Sequence, residues 1–343
     1  MKRLLNTLYV LTEDSYLSLD GENVVVKRGD GIAGRFPLHT IESIQCFIYK
    51  GASPRLMGEC ARRSVDLAFF SPRGRFLART TGQAHGNVLL RKRQHQLSND
   101  EMACCAFAKN ILMGKLFNSR WVLERAKRDH PLQVDVEKIT RRSSELKQGL
   151  SEIRRSCSLE ELRGIEGSAA KSYFDAFNEL IVVQRDDFQF MGRTRRPPRD
   201  RVNAMLSFGY ALLSNNYASA LEGVGLDSFI GFLHADRPGR VSLALDMVEE
   251  LRSVFVDRVV VSCINGRVVT ADDFESYQDG SYYLNERGRK AFLSVWQKRK
   301  QQKICHPYLE ERIPWGLVPH VQSMLLARCI RGDLEEYPPF MWK

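Results

Sequence analysis

No two cysteines of this 343-residue sequence stand in a C-x-x-C pair; the eight are scattered as Cys46, Cys60, Cys104, Cys105, Cys157, Cys263, Cys305 and Cys329. The adjacent Cys104 and Cys105 cannot easily share one tetrahedral ion, so a zinc finger is not expected. Thiols without a framework fit a reducing compartment. No apolar run approaches the length that spans a bilayer. The start, MKRLLNTLYVLTEDSYL, is basic and then apolar like a leader, but Asn6 interrupts the run and no small-residue cleavage site follows. A cytoplasmic location is expected. Internal repeats and low-complexity stretches are missing too. Acidic residues are in deficit, 41 against 51 basic ones, for a net charge of +10. A basic balance of that size favours a polyanionic partner. No strongly basic amphipathic helix marks a membrane surface instead.

Hydrophobic residues make up 43% and charged residues 27% of the chain, the balance of a globular protein long enough for two domains. Over residues 4–80, short aromatic and aliphatic runs alternate with turn signals. Thr7–Leu11, Tyr16–Leu19, Val24–Lys27, Ile41–Ile48, Val65–Phe70 and Arg75–Arg79 read as strands. Gly21-Glu22-Asn23 and Ser71-Pro72-Arg73-Gly74 read as turns, and Gly29, Gly31 and Gly34 as the punctuation of a connection. Pro54–Arg63 reads as one helix. This stretch carries no catalytic constellation, so a folding and association module is expected. From Gly82 glycine thins out and long amphipathic patterns take over. They cover 87–96 with Arg91, Lys92 and Arg93, then Asp100–Ala126 with Phe107, Ile111, Leu116 and Val122, then Val134–Gly149 beyond Pro131. The expected class is α+β: a small N-terminal β-sheet domain, residues 1–82, before a larger all-helical domain, residues 83–343.

The chain is organised around residues 230–255. His234 follows a short apolar run, and Pro238-Gly239 breaks the chain. Ser242 can then cap a helix whose Leu243, Met247, Leu251 and Val254 form one apolar stripe. Asp246 and Glu249, three apart, are neighbours on that helix. Two carboxylates on a rigid helix beside a loop histidine suit a divalent metal. The same residues also suit a solvated helix face and a structural histidine. Spacing does not choose between these readings, nor between the two carboxylates. Upstream, Ser158-Leu159-Glu160-Glu161 is a capping-box pattern for a helix expected to stop at Gly164. Glu166 would then open a new helix carrying Tyr173, Phe174 and Phe177.

Residues 193–201, RTRRPPRDR, hold five arginines and one aspartate. Two prolines bar a helix there, and arginine's planar fork suits phosphate. Arg193, Arg195, Arg196, Arg199 and Arg201 are therefore expected to hold a phosphate backbone, against the alternative of a merely solvated loop. Asn203–Ala220 follows as a helix with Leu206, Tyr210 and Leu213 inward. Lys298, Arg299, Lys300 and Lys303 form a second basic run, as ordinary for a helix face as for a DNA contact. The tail, Tyr337 to Trp342, either docks a partner or packs down.

The order of these motifs is specific where each alone is weak. Glu166 in IEGSAAKSYF, the arginine–proline loop before RVNAMLSFGYALL, GLDSFIGFLHADRPGR with SLALDMVEELRSVFVDRVV, and DGSYYLNERGRKAFLSVW together closely resemble the CRISPR-associated integrase family of spacer acquisition. Its type I-C branch is the nearest in detail. The resemblance runs over about the whole chain. It implies a DNA endonuclease and integrase, dependent on Mg2+ or Mn2+, that inserts short foreign DNA into a repeat array. It places the metal ligands and catalytic residues at Glu166, His234 and Glu249, with Asp246 in support. It implies double-stranded DNA as substrate, a homodimer, and a small ferredoxin-like companion protein; the β domain, with no site of its own and strand edges to cover, is the expected dimer contact. Two competing readings are a non-catalytic basic DNA-binding module and a metal-dependent phosphohydrolase acting on small esters.

Overall fold

The short alternating runs of the first 80 residues form two sheets in this computed structural model, which describes residues 5–82 and 88–343 of the chain. The first residues of the leader-like start, residue 87, and the far side of the expected 82/83 boundary lie outside the described residues. Among the described residues, seven strands and one α-helix follow in order: β1 (Thr7–Val10), β2 (Ser15–Asp20), β3 (Asn23–Arg28), β4 (Gly31–Pro37), β5 (Ser43–Cys46), α1 (Pro54–Arg62), β6 (Asp66–Phe70) and β7 (Phe76–Arg79). β2, β3 and β4 form an antiparallel meander. The second sheet runs β1-β5-β6-β7, with the first three parallel and β7 antiparallel. Parallel neighbours need a crossover. α1 supplies it between β5 and β6, capped by Ser53, whose Oγ accepts from the Leu56 N–H.

Two expectations change here. Of the three glycines only Gly29 punctuates a connection, the β3–β4 turn, where its φ is positive; Gly31 and Gly34 lie inside β4. Nearly all of β4 is exposed, and a bulge slips its register against β3 between Val26 and Lys27. Without a buried face it has no alternation to read. The strand expected over Ile41–Ile48 is shorter, Ser43–Cys46, and every residue of it is buried.

The helices that follow are α2 (Val88–Ser98), α3 (Glu101–Asp129), α4 (Val136–Arg155), α5 (Leu159–Asp175), α6 (Arg201–Gly223), α7 (Ser242–Val248) and α8 (Arg258–Asn265). The hairpin β8 (Phe274–Ser276) with β9 (Tyr282–Leu284) precedes α9 (Glu286–Gln301). The hairpin β10 (Lys303–Cys305) with β11 (Arg312–Pro314) precedes α10 (Val318–Arg331). α5 corrects the expected break at Gly164. It runs unbroken from its Ser158 cap through Glu166, because Leu162, Ala169 and Tyr173 are buried on one face. Nothing lies within 4 Å of a side chain at Gly164 or Gly167, so these glycines lower helix propensity without breaking the packed helix. Ser242 is not the cap of α7 either. Val241 holds that position, and Ser242, fully buried, donates its hydroxyl to the Ala235 carbonyl at 3.2 Å.

One apolar cluster lies wholly within the N-terminal part, around Leu17, Val24, Leu38, Ile44 and Leu67. The other face of the β1-β5-β6-β7 sheet joins the helical core. Phe47 stacks on Phe70 with centroids 5.0 Å apart, Phe208 of α6 lies 5.5 Å from Phe47, and Phe292 of α9 lies 5.4 Å from Phe208. Polar ties cross the same seam. Lys300 of the second basic run is buried and donates to Thr7 Oγ1 at 3.2 Å. The tail packs down: Tyr337 and Phe340 are buried, and Trp342 meets Trp315 with centroids 5.2 Å apart. Among the described residues no helix is long and apolar enough to cross a membrane. The eight cysteines are free thiols, Cys157 and Cys305 exposed.

Candidate functional site

α7 begins a helical rod that changes pitch at the carboxylates. After Val248 it tightens to a 3-10 turn, Glu249–Leu251, then widens to a π segment, Arg252–Asp257, before α8. Irregular pitch of this kind recurs at functional positions. Four acids of the rod, Asp246, Glu249, Glu250 and Asp257, are buried. A buried carboxylate persists only when paired or hydrogen-bonded, and each of the four has a different solution.

Asp246 is saturated. Its oxygens accept from the backbone N–H groups of Phe232 at 2.7 Å, Leu233 at 3.1 Å and His234 at 2.9 Å, and from His234 Nδ1 at 2.7 Å. The loop before α7 can fold onto it because residue 231 is glycine. A Cβ there would stand 2.9 Å from Ser242 Cβ and 3.0 Å from Asp246 Oδ2. The loop is pinned elsewhere too. Gln94 of α2 donates to the Asp227 and Ile230 carbonyls, Arg163 of α5 donates to the Leu233 carbonyl at 2.9 Å, and Phe232 stacks on Phe107 of α3. With Nδ1 facing Asp246, Nε2 of His234 makes no hydrogen bond among the described residues.

Glu249 is nearly as buried, yet it is held by cations. Lys115 Nζ of α3 lies 2.7 Å from its Oε2 and Arg252 lies 3.0 Å from its Oε1. Burial pushes this carboxyl up, but Arg252, Lys115 and His234 outweigh burial and bring it down to about 2. Among the described residues the Lys115 ammonium is the only partner of Oε2. The same Lys115 Nζ pairs with Glu166 Oε1 of α5. One ammonium thus joins Glu166 to Glu249, and His234 lies near enough to act on the Glu249 charge. Among the described residues, no three His, Cys, Asp or Glu side chains already converge on one metal position.

Behind the site, Glu250 accepts from Gln322 at 3.0 Å and from the Tyr337 hydroxyl at 2.9 Å, and burial raises it to about 8. Asn118, one turn from Lys115 on α3, donates to the Glu250 and Phe340 carbonyls and accepts from the Trp342 N–H. Asp257 accepts from Tyr210 at 2.6 Å and Tyr173 at 2.9 Å, and burial lifts it to about 6. The tail therefore braces the turn that carries Glu249.

The arginine loop divides. Arg193 turns inward, donating to Asn203 Oδ1 at 2.7 Å and Ser207 Oγ at 3.1 Å. Arg193 and Arg252 each lie over the Tyr210 ring. Arg199 donates to the Asp279 carbonyl, and Arg201 to the Asp187 carbonyl at 2.9 Å. Arg195 and Arg196 are exposed, with no hydrogen bond or ion pair among the described residues.

Sequence reasoning missed Lys115, Arg252 and Arg163. Lys115 did leave a signal: it is a lysine on the α3 face that also carries Phe107, Ala108, Ile111 and Leu112, all buried.

Known proteins share both the sequence and the fold that carry this geometry. Residues 8–298 match the family model described as CRISPR associated protein Cas1. The chain is 44% identical over 343 residues to "CRISPR-associated endonuclease Cas1 1" of Chlorobaculum tepidum, covering 100% of both. Its fold is similar to that of a casposase bound to integration product, with a TM-score of 0.85, 22% identity, and 98% of this chain and 94% of the other covered. It is also similar to a chain of a Cas6-RT-Cas1–Cas2 complex, with a TM-score of 0.80, 22% identity, and 98% and 36% covered. At that identity the two solved structures speak for the fold alone. The match over most of the chain and the full-length relative place this protein in the CRISPR-associated Cas1 family.

Proposed function

We propose that the chain is a metal-dependent DNA endonuclease and integrase that inserts short foreign DNA fragments into a CRISPR repeat array by strand transfer. One observation carries the reading. A buried, ionised Glu249 whose Oε2 is paired with Lys115 faces Glu166 across that single cation, beside a histidine whose Nδ1 is occupied by Asp246. The name of the full-length relative supports the nuclease part.

Glu166, Glu249 and His234 Nε2 would hold the divalent ion, and their donor set fits it. Two carboxylates and one neutral imidazole suit Mn2+, and the oxygen-rich part of the set also suits Mg2+. When bound, such an ion polarises a phosphoryl oxygen and offsets charge developing in the transition state. The chain's own residues prepare the place. Asp246 fixes the His234 ring and tautomer, as carboxylates behind ligand histidines do. Arg252 keeps Glu249 ionised. In strand transfer a 3′-hydroxyl oxygen forms a bond to phosphorus while the bond to the leaving 3′-oxygen breaks. The attacking oxygen loses its proton and the leaving oxygen gains one, so no serine or cysteine nucleophile is required.

Arg195 and Arg196 are the loop's free cations for DNA phosphates, with Arg199 and Arg201 close behind and Arg193 holding the loop's shape. Contacts of this kind position DNA without reading its sequence. We assign residues 1–82 to homodimer formation and 83–343 to catalysis and DNA binding. Supporting the first, edge strand β4 exposes Ile32 and Phe36, and such an edge needs cover. A small ferredoxin-like companion protein and the type I-C branch follow from the motif resemblance. The name of the complex that holds one fold neighbour supports a companion Cas protein.

The test is transfer of a labelled short duplex into a repeat-containing plasmid with Mn2+ titrated from zero. Glu249→Gln keeps the shape and one oxygen but removes the charge, so transfer is lost while duplex binding survives. Near-normal transfer by this variant would overturn the reading. Turnover of small phosphate esters with no action on DNA would favour a phosphohydrolase.

A further inference from the structure

The buried face of α3 carries one charged side chain, Lys115, beside the hydrogen-bonded amide of Asn118. Lys115 reaches from it with its side chain only 11% exposed, and its Nζ contacts Glu166 Oε1 and lies 2.7 Å from Glu249 Oε2. Arg252, on the other side of Glu249, completes a balance of two carboxylates and two cations. Two carboxylates sharing one ammonium repel each other once it leaves, and Glu249 is too buried for water to relieve that repulsion. The lysine therefore stands where a cation is needed to keep the pair together. Its ammonium sits on a flexible four-carbon stem with rotatable donors, so it can move while α3 stays still. Arg252 is held differently, its planar guanidinium pairing with Glu249 at 3.0 Å and lying over the Tyr210 ring.

We propose that Lys115 is the built-in counter-cation of this site: it holds Glu166 and Glu249 together, gives up both carboxylates to the incoming divalent ion, and then pairs with a non-bridging oxygen of the DNA phosphate. The inference rests on the metal-site reading above. The charge count supports the last step. Two carboxylates with Lys115, Arg252 and a divalent ion leave a surplus of two positive charges. A phosphodiester brings one negative charge and the transition state of transfer develops a second. The freed ammonium thus has a partner of matching sign already in the site. The exchange forms and breaks no covalent bond.

The experiment uses the full chain and Mn2+ followed by electron paramagnetic resonance without DNA, beside thermal melting with and without Mn2+. Wild type against Glu249→Gln tests the metal site itself. If both bind Mn2+ alike, the site reading fails. Lys115→Met keeps the stem and removes the charge. It is expected to bind Mn2+ about tenfold or more tightly than wild type, the change set by removing a competing unit charge at ion-pair distance. It is also expected to melt lower without Mn2+ and to regain more on adding it. With Mn2+ present, its affinity for duplex DNA is expected to fall and its salt slope to shrink by about 0.9. Lys115→Gln serves the same comparison if the methionine variant does not fold. Unchanged or weaker Mn2+ binding by a folded neutral variant, with wild type and Glu249→Gln still differing, would refute the counter-cation role. A full salt slope in that variant would refute the phosphate contact.

Discussion

Replacing Asp246 with asparagine changes one atom at the most heavily bonded carboxylate of the site. The carboxylate accepts four hydrogen bonds, three from the backbone of residues 232–234 and one from His234 Nδ1. An amide has one accepting oxygen and one donating nitrogen. In one orientation the nitrogen faces the N–H groups of Phe232 and Leu233, and both lose their acceptor. In the other it faces the His234 N–H and Nδ1. The ring can then accept at Nδ1 only by carrying its proton on Nε2, the nitrogen proposed to bind metal. Hydrogen bonds to a charged group contribute about 1.5–3 kcal/mol each, and a buried donor left bare costs about 1–3 kcal/mol. Two donors left bare therefore predict destabilisation of about 2–6 kcal/mol. Loss of ring orientation predicts Mn2+ binding weakened about 10–100-fold. Urea unfolding gives the first quantity, Mn2+ titration the second, and the nitrogen chemical shifts of His234 the tautomer. Stability within about 0.5 kcal/mol of wild type together with unchanged Mn2+ binding would refute the reasoning, since even two of the mildest such penalties come to about 2 kcal/mol.

Replacing Arg195 and Arg196 together by alanine should weaken duplex binding for all sequences, lowering the slope of log affinity against log salt by about 0.9 for each phosphate no longer neutralised. Arg193→Ala should lower melting temperature instead, because that side chain ties the loop to Asn203 and Ser207. Glu250 has its carboxyl raised by burial to about 8, so its contribution to stability is present at low pH and is lost as pH rises through about 8. Glu250→Gln should therefore melt higher than wild type near pH 9 and lose that advantage near pH 5, as read by calorimetry across pH. Charges at Ile32 and Phe36 on the β4 edge, introduced as Ile32→Glu and Phe36→Glu, should convert a dimer to a monomer by mass in solution. A dimer that persists would move the interface elsewhere.

The sequence by itself determined much of the architecture, because periodicity is a local property. Alternation placed β1, β2, β3 and β6, and stripes such as Phe107, Ile111 and Leu116 placed the long helices. It also set Asp246 and Glu249 on one helix and put His234 just before them, and the motif order named Glu166. β4 left no trace, since a strand exposed on both faces has nothing to alternate. The continuity of α5 through Gly164 came from packing of Leu162, Ala169 and Tyr173, which no local propensity records. Whether the tail docks outward or inward depended on Asn118 and Glu250, more than eighty residues away. The difference between the two carboxylates was also tertiary. Asp246 is filled by backbone N–H groups that a glycine brings close, while Glu249 is held by the movable ammonium of Lys115 and by Arg252. Spacing fixes which residues are neighbours along a helix. What each carboxylate meets is decided by the fold, which brings the 232–234 loop onto Asp246 and Lys115 of α3 between Glu249 and Glu166, and burial then turns those meetings into the charge balance of the site.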